Sequence, residues 1–217
     1  VEVALLLWLN QYLIRRISPE EYSLYPIVLS IMAFMMIVKT ALDGINSRYV
    51  TEAYARGDSG SVTAITSTVT VYSFIGVSIV AILGALLCWG IDRLMVIEPY
   101  LVDDLRVMTA LTVAGLSLAM LASPFEAGLR TKQRYVTINV VQLLVEVLRI
   151  VVLAALIFGV STRVLWVVVA TESAKLVGLI TRVTISVHLI PALRFRSSAV
   201  DLHGRRELLS FGGWGVL

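Results

Sequence analysis

Glu146 and Arg149 stand three residues apart within one long apolar stretch, and Glu172 and Lys175 stand three apart within the next. On a helix that spacing puts each pair on one face. An ionised side chain in hydrocarbon costs on the order of 2.5–3.5 kcal/mol, so such residues persist only where they face one another, water or a ligand. At ~1.5 Å per residue, Glu146 falls roughly 14 Å from the start of its stretch and Arg149 roughly 18 Å. If the next stretch runs the opposite way across ~30 Å of bilayer core, Lys175 comes to the depth of Glu146, and Glu172 to that of Arg149. The expectation is a quartet cross-paired between two neighbouring helices. Two roles fit it. In the first, the quartet lines a water-filled cavity in which Arg149 and Lys175 meet an anionic substrate, while Glu146 and Glu172 relay an ion or proton. In the second, the four balanced charges form a structural network that fixes helix register.

A second group lies earlier in the chain. Lys39 and Asp43 are four apart and Arg48 follows just over a turn later. Lys39 either joins a substrate site or extends its ammonium to the headgroups. Arg48, Arg56, Arg130, Lys132 and Arg134, interleaved with Tyr49 and Tyr135, form a basic rim. Guanidinium groups bind phosphate oxygens bidentately and keep their charge, so the rim suits phosphate. The same residues also satisfy the ordinary excess of cations on the cytoplasmic side of membrane proteins.

Other chemistry finds few candidates. Cys88 is the single cysteine, which precludes an internal disulfide or a thiol pair for zinc, and His188 and His203 lie fifteen residues apart without a nearby carboxylate cluster. No metal site, catalytic residue or cofactor is expected. The run Asp43-Gly44-Ile45-Asn46-Ser47-Arg48 with Gly57 resembles part of the CDP-alcohol phosphotransferase signature, but Thr40, Ser61 and Ile65 stand where that pattern places metal-holding carboxylates. There is no Gly-rich phosphate loop, nucleophile elbow or zinc-protease helix. A net charge of +3 spread along loops disfavours nucleic acid as a partner.

The elements that must position these residues follow from composition. Of 217 residues, 58% are apolar and 15% charged, against about 25% charged in soluble domains. Residues 59–91 contain no Asp, Glu, Lys or Arg before Ile91 ends the run, and about 20 apolar residues suffice to span a bilayer as helix. Six apolar stretches can be drawn, near 3–14, 24–42, 65–87, 107–124, 136–158 and 164–190, with a seventh starting near 208. They are too long for barrel strands, and an isolated strand would leave its amides unpaired in lipid. The expected fold is therefore all-α: a polytopic transmembrane bundle with a six-span lobe over 1–190, a basic linker over 191–207, and the start of a second lobe over 208–217. The first stretch opens mid-run at Val1, so both the first helix and the second lobe read as truncated.

Orientation follows from alternate loops. Nine basic residues fall on one side (Arg48, Arg56, Arg130, Lys132, Arg134, Arg194, Arg196, Arg205, Arg206) and five on the other (Arg15, Arg16, Arg93, Arg106, Arg163). The richer side is expected to be cytoplasmic, with the amino terminus inside.

With spans and loops placed, the chain resembles the polysaccharide (O-antigen and exopolysaccharide) flippases of the multidrug/oligosaccharidyl-lipid/polysaccharide exporter superfamily. The resemblance rests on Ile17-Ser18-Pro19-Glu20-Glu21-Tyr22-Ser23-Leu24-Tyr25 entering the second span and on Gly44 with Ser47-Arg48-Tyr49-Val50 leaving it. Ala55-Arg56-Gly57-Asp58 precedes the third span, Lys132-Gln133-Arg134-Tyr135 with Asn139 enters the fifth, and Phe211-Gly212 opens the seventh. Ser23 departs from the family's usual glycine. The resemblance implies alternating access in a bacterial cytoplasmic membrane, without covalent chemistry. An undecaprenyl-pyrophosphate-linked oligosaccharide would be the cargo, membrane lipids the surroundings, and polysaccharide polymerase or assembly proteins the partners. It makes Arg48 a pyrophosphate or cavity contact. The competing expectations are a multidrug or organic-cation antiporter of the same superfamily, which calls for a cavity with uncompensated acids, and a non-transporting membrane scaffold subunit.

Overall fold

A computed structural model describes residues 19–94, 98–160 and 163–201. The first apolar stretch, the end of the basic linker and the seventh stretch lie outside those residues. The described chain is all helix and connection: a single turn α1 (Pro19–Tyr22), then α2 (Leu24–Ala55), α3 (Ser59–Leu94), α4 (Val102–Thr131), α5 (Tyr135–Gly159) and α6 (Leu165–Leu189). Three of these are long and apolar enough to cross a membrane, at Ser59–Ile91, Pro99–Thr131 and Tyr135–Gly159. α6 carries Glu172, Lys175 and Arg182, α2 carries Lys39 and Asp43, α5 carries Glu146 and Arg149, and α4 carries Glu126, so four helices bring charge into the bundle. Together with the lipid-facing surfaces described next, this is a helical membrane protein.

Burial runs opposite to that of a soluble bundle. Ile75, Ile79, Ile82, Leu83 and Leu86 are exposed on α3, as are Val140, Leu143, Leu144, Val147 and Val151 on α5, whereas Thr66, Ser67, Thr68, Thr70 and Ser73 are buried. Contiguous apolar surface on this scale is untenable in water and natural in lipid. At ~1.5 Å per residue, the 36 residues of α3 reach ~54 Å, well past a ~30 Å hydrocarbon core, so its ends stand in the headgroups or beyond.

The helices alternate in direction, and side-chain links mark the two ends. At one end the Val164 amide donates to Glu21 Oε1 at 2.9 Å, and Arg163 lies 3.7 Å from Asp104. At the other, Thr51 and Thr131 hydroxyls meet at 3.0 Å, and Lys132 bonds the Tyr54 hydroxyl. Arg48, Arg56, Arg130, Lys132, Arg134, Arg194 and Arg196 gather at this second, basic end. α4 is the central helix, packed on α2, α3 and α6, while α5 leans mainly on α6. An apolar cluster closes each end. One comprises Leu24, Val28, Ile91, Leu105, Met108, Leu153, Ile157 and Val167 among others; the other, at the basic end, comprises Val50, Val62, Ile65, Val69, Ala127, Ile190 and Leu193.

Local chemistry explains the sharp turns at the basic end. α2 stops where Gly57 adopts φ +75°, with the Gly57 amide bonded to Tyr54 O at 3.0 Å and the Asp58 amide to Ala53 O at 3.2 Å. This is a Schellman closure, which needs a left-handed residue at that position. Asp58 then caps α3, its Oδ1 accepting the Ser61 amide at 2.9 Å. α4 ends with the same closure, but Gln133 holds the left-handed position at φ +53°. Beyond α6 the linker does not leave the bundle. Thr63 Oγ1 donates to Ala192 O at 2.9 Å, and the amides of Arg196 and Asp201 donate to Ser67 Oγ at 2.9 Å and Thr68 Oγ1 at 3.2 Å. The buried hydroxyl face of α3 thus holds residues 192–201.

A side chain in the left-handed region costs about 1 kcal/mol more than glycine. Gly57→Ala is therefore expected to lower the thermal midpoint of the detergent-solubilised full-length protein, and Gln133→Gly to raise it. Shifts of the same sign for both variants would contradict the two closures.

Candidate functional site

Between the two apolar clusters lies a polar waist. A cavity of about 350 Å³ opens there, lined by α2 (Met36, Lys39), α4 (Thr112, Gly115, Leu116, Ala119), α5 (Gln142, Val145, Glu146, Arg149) and α6 (Thr171, Glu172, Lys175, Leu176, Leu179, Arg182). The structure thus brings Lys39, Glu146, Arg149, Glu172 and Lys175 to one space. Close helix contact makes room for them. A Cβ on Gly115 would run into the Glu172 carboxylate, and one on Gly178 into Val145. Glycine at these two positions lets α4 and α5 approach α6 while the carboxylate stays between them.

The pairing differs from the sequence expectation. Arg149 Nη2 lies 2.7 Å from Glu146 Oε2, and Lys175 Nζ lies 2.9 Å from Glu172 Oε1. Each bridge runs along its own helix instead of across to the neighbour. The i,i+3 partner is already within reach on the same face, so no side chain has to span the cavity. The Glu146–Arg149 contact is an ion pair poorly aligned for hydrogen bonding, and Glu146 Oε2 and Arg149 Nε have no hydrogen-bond partner among the described residues. The same holds for the buried hydroxyl of cavity-lining Thr112, and for Thr109 one turn away.

Other links, which residue spacing does not reveal, cross between helices. Arg182 Nε donates to Glu126 Oε1 at 2.7 Å, joining α6 to α4. Asp43 accepts from Lys39 at 2.6 Å and from the Ser123 hydroxyl, with Arg130 at 3.9 Å, joining α2 to α4. Asp43, Glu126 and Arg130 line a small cleft toward the basic end together with Asn46, Ser47 and Ser123. Arg182 carried a readable signal, since it stands seven residues, two helical turns, after Lys175. Glu126 falls past the end drawn for its apolar stretch. α4 is interrupted here by Pro124, which removes an amide donor. Asn46 Nδ2 donates to Ser123 O at 3.2 Å and Pro124 O at 3.0 Å, and the Gly128 amide donates to Ser186 Oγ at 2.7 Å. Neighbouring helices thus satisfy the backbone around the proline.

One asymmetry follows. Lys39, Arg149, Lys175 and Arg182 line the cavity against only Glu146 and Glu172, because the carboxylates matching Lys39 and Arg182 line the cleft instead. The cavity wall carries more basic than acidic groups, although each of the four cations has a carboxylate within 2.9 Å and the whole network is close to balanced. An entering anion meets the positive ends of the Lys39 and Arg182 pairs, whose carboxylates face the cleft.

The basic rim is placed apart. Arg48 lies outside the cavity lining, exposed at the end of α2 with its guanidinium 5.9 Å from the Tyr49 ring centre. Arg56 pairs with Glu52, and Lys132 sits 4.6 Å from the Tyr54 ring centre. Arg134 is exposed where α5 begins. Arg130 reaches from this rim to the waist network, through Asp43. Among the described residues, no group of three His, Cys, Asp or Glu side chains converges to hold a metal ion.

The chain is 23% identical to a protein described as "Uncharacterized membrane protein EpsK" from Bacillus subtilis (strain 168), over 99% of this chain and 42% of that protein. It therefore spans less than half the length of that relative. No protein-family profile and no solved structure matches it.

A half-buried ion pair leaves a costly unpaired charge when one partner is removed, of the order of 3 kcal/mol, whereas replacing both by apolar groups is often neutral. Arg182→Met and Glu126→Leu are each expected to lower the thermal midpoint, and the double variant to recover most of the loss. Additive losses in the double variant would mean the two residues do not act as a pair.

Proposed function

We propose that this chain belongs to a membrane transporter that moves an undecaprenyl-pyrophosphate-linked oligosaccharide across a bacterial cytoplasmic membrane by alternating access, without covalent chemistry. The observation that carries the reading is the cationic cavity at mid-bundle, with four basic side chains against two acids on its wall. A pyrophosphate crossing a bilayer needs fixed cations where hydrocarbon would otherwise exclude it. Arginine suits that task because its planar fork binds phosphate oxygens in pairs and stays charged.

The basic end is then the cytoplasmic end, following the usual retention of Lys and Arg on that side. In this reading α2 to α6 are spans of one lobe of the transporter. The rim of Arg48, Arg56, Arg130, Lys132 and Arg134 attracts the anionic headgroup before it reaches the waist. A related drug or organic-cation antiporter would place surplus acids on the cavity wall, and here the surplus is of the other sign. A scaffold subunit would require no cationic cavity at all.

In cells dependent on the full-length protein for sugar-lipid export, Arg149→Ala and Lys175→Ala are expected to reduce export by about tenfold or more at normal protein levels. Arg56→Ala, whose charge is exposed and already matched by Glu52, should lower export by less than either cavity variant. Undiminished export in both cavity variants would remove the assignment, and altered efflux of cationic drugs in its place would support the antiporter.

A further inference from the structure

α5 carries a stripe that neither lipid exposure nor core packing accounts for. Tyr135, Asn139, Gln142, Glu146 and Arg149 follow one another at steps of four, three, four and three residues. At ~100° per residue this keeps them on one face, within about 40° either side of a line along the helix. Two other faces flank it. Val140, Leu143, Leu144, Val147 and Val151 are exposed and apolar, while Val141 and Val145 are buried in the cluster with Ala174 of α6. The stripe starts at the basic end beside Arg134 and reaches the cavity wall at Gln142, Glu146 and Arg149. One turn further on, the same line meets Leu153, which belongs to the apolar cluster closing the opposite end. It is a polar path open at the basic end and closed at the other.

Asn139 and Gln142 are the informative members. Both side chains are exposed, and neither has a hydrogen-bond partner among the described residues. A carboxamide facing hydrocarbon without a partner is costly, so two of them a turn apart face water or a polar occupant. Being neutral, they add nothing to the recognition of phosphate charge. A carboxamide offers two donors and an acceptor, which is the complement of paired hydroxyl groups. Tyr135, 59% exposed at the mouth of the path, adds an aromatic face of the kind on which sugar rings stack.

We infer that Tyr135, Asn139 and Gln142 form a sugar-recognition track: the residues that hold the oligosaccharide head of the cargo while Arg149, Lys175 and their neighbours hold its pyrophosphate. This rests on the transport reading above and divides its site into two parts, a charged one that is indifferent to the sugar and a neutral one that reads it.

The experiment measures binding of two probes to the full-length protein in nanodiscs: undecaprenyl pyrophosphate alone, and the same lipid bearing the host's oligosaccharide. Asn139→Ala/Gln142→Ala is expected to weaken binding of the sugar-bearing lipid roughly tenfold or more while leaving the bare lipid unchanged. Asn139→Gln/Gln142→Asn, which keeps the amides, guards against misfolding and should retain part of the discrimination. Equal weakening for both lipids, or no change for either, overturns the track and assigns the amides to helix packing. If the unaltered protein binds neither lipid, it is the transport reading that fails.

Discussion

The cost of an ion in hydrocarbon organises this molecule. Every helix that carries a charge in its middle has to turn that charge toward another helix, so α2, α4, α5 and α6 converge on one polar waist, while α3, free of charge from Ser59 to Ile91, turns its apolar middle outward. The apolar clusters around Leu105 and Val69 then seal the bundle above and below the waist. Packing within the bundle thus serves mainly to hold helices near enough for charges to be shared, and glycine at positions 115, 128 and 178 permits that approach.

The arrangement of partners within the waist gives it polarity. The bridges on α5 and α6 lie along single helices, whereas the links of Asp43 to Ser123 and Arg130 and of Glu126 to Arg182 tie α2 and α6 to α4 on the side of the basic end. The result is a tied lower half and a cationic upper space. Pro124 sits at the same level, with its local backbone satisfied by Asn46 and Ser186 from neighbouring helices. A proline held in this way keeps its helix ordered without the continuous hydrogen-bond ladder that would resist bending.

Much of the fold is readable from the chain. Long apolar stretches mark the positions of α2 to α6, because nothing but helix satisfies the backbone in lipid. The helices outrun those marks: α3 covers Ser59–Leu94 where the apolar run alone suggested 65–87, since Asp58 caps its first turn and Thr63 bonds the Ser59 carbonyl, so the helix begins in polar residues ahead of the run. The spacing of Glu146 with Arg149 and of Glu172 with Lys175 brought all four to one cavity. Their partners were not readable. Depth along a span places a charge only to within a turn or so, and choosing an i,i+3 partner over one across the helix gap depends on distances of a few ångströms. Glu126 was hidden by Pro124, which reads as the end of a span, and the Arg182 bridge was hidden with it.

The central claim is that the waist is wet while the flanks face lipid. Ala119→Cys and Leu176→Cys on the cavity wall, and Leu144→Cys and Val147→Cys on the outer face of α5, would be introduced one at a time into the full-length protein after Cys88→Ala. Labelling by a membrane-impermeant maleimide in intact membranes separates the two surfaces. Labelling is expected at 119 and 176 and none at 144 and 147. Cavity positions as inert as the lipid-facing pair would contradict it.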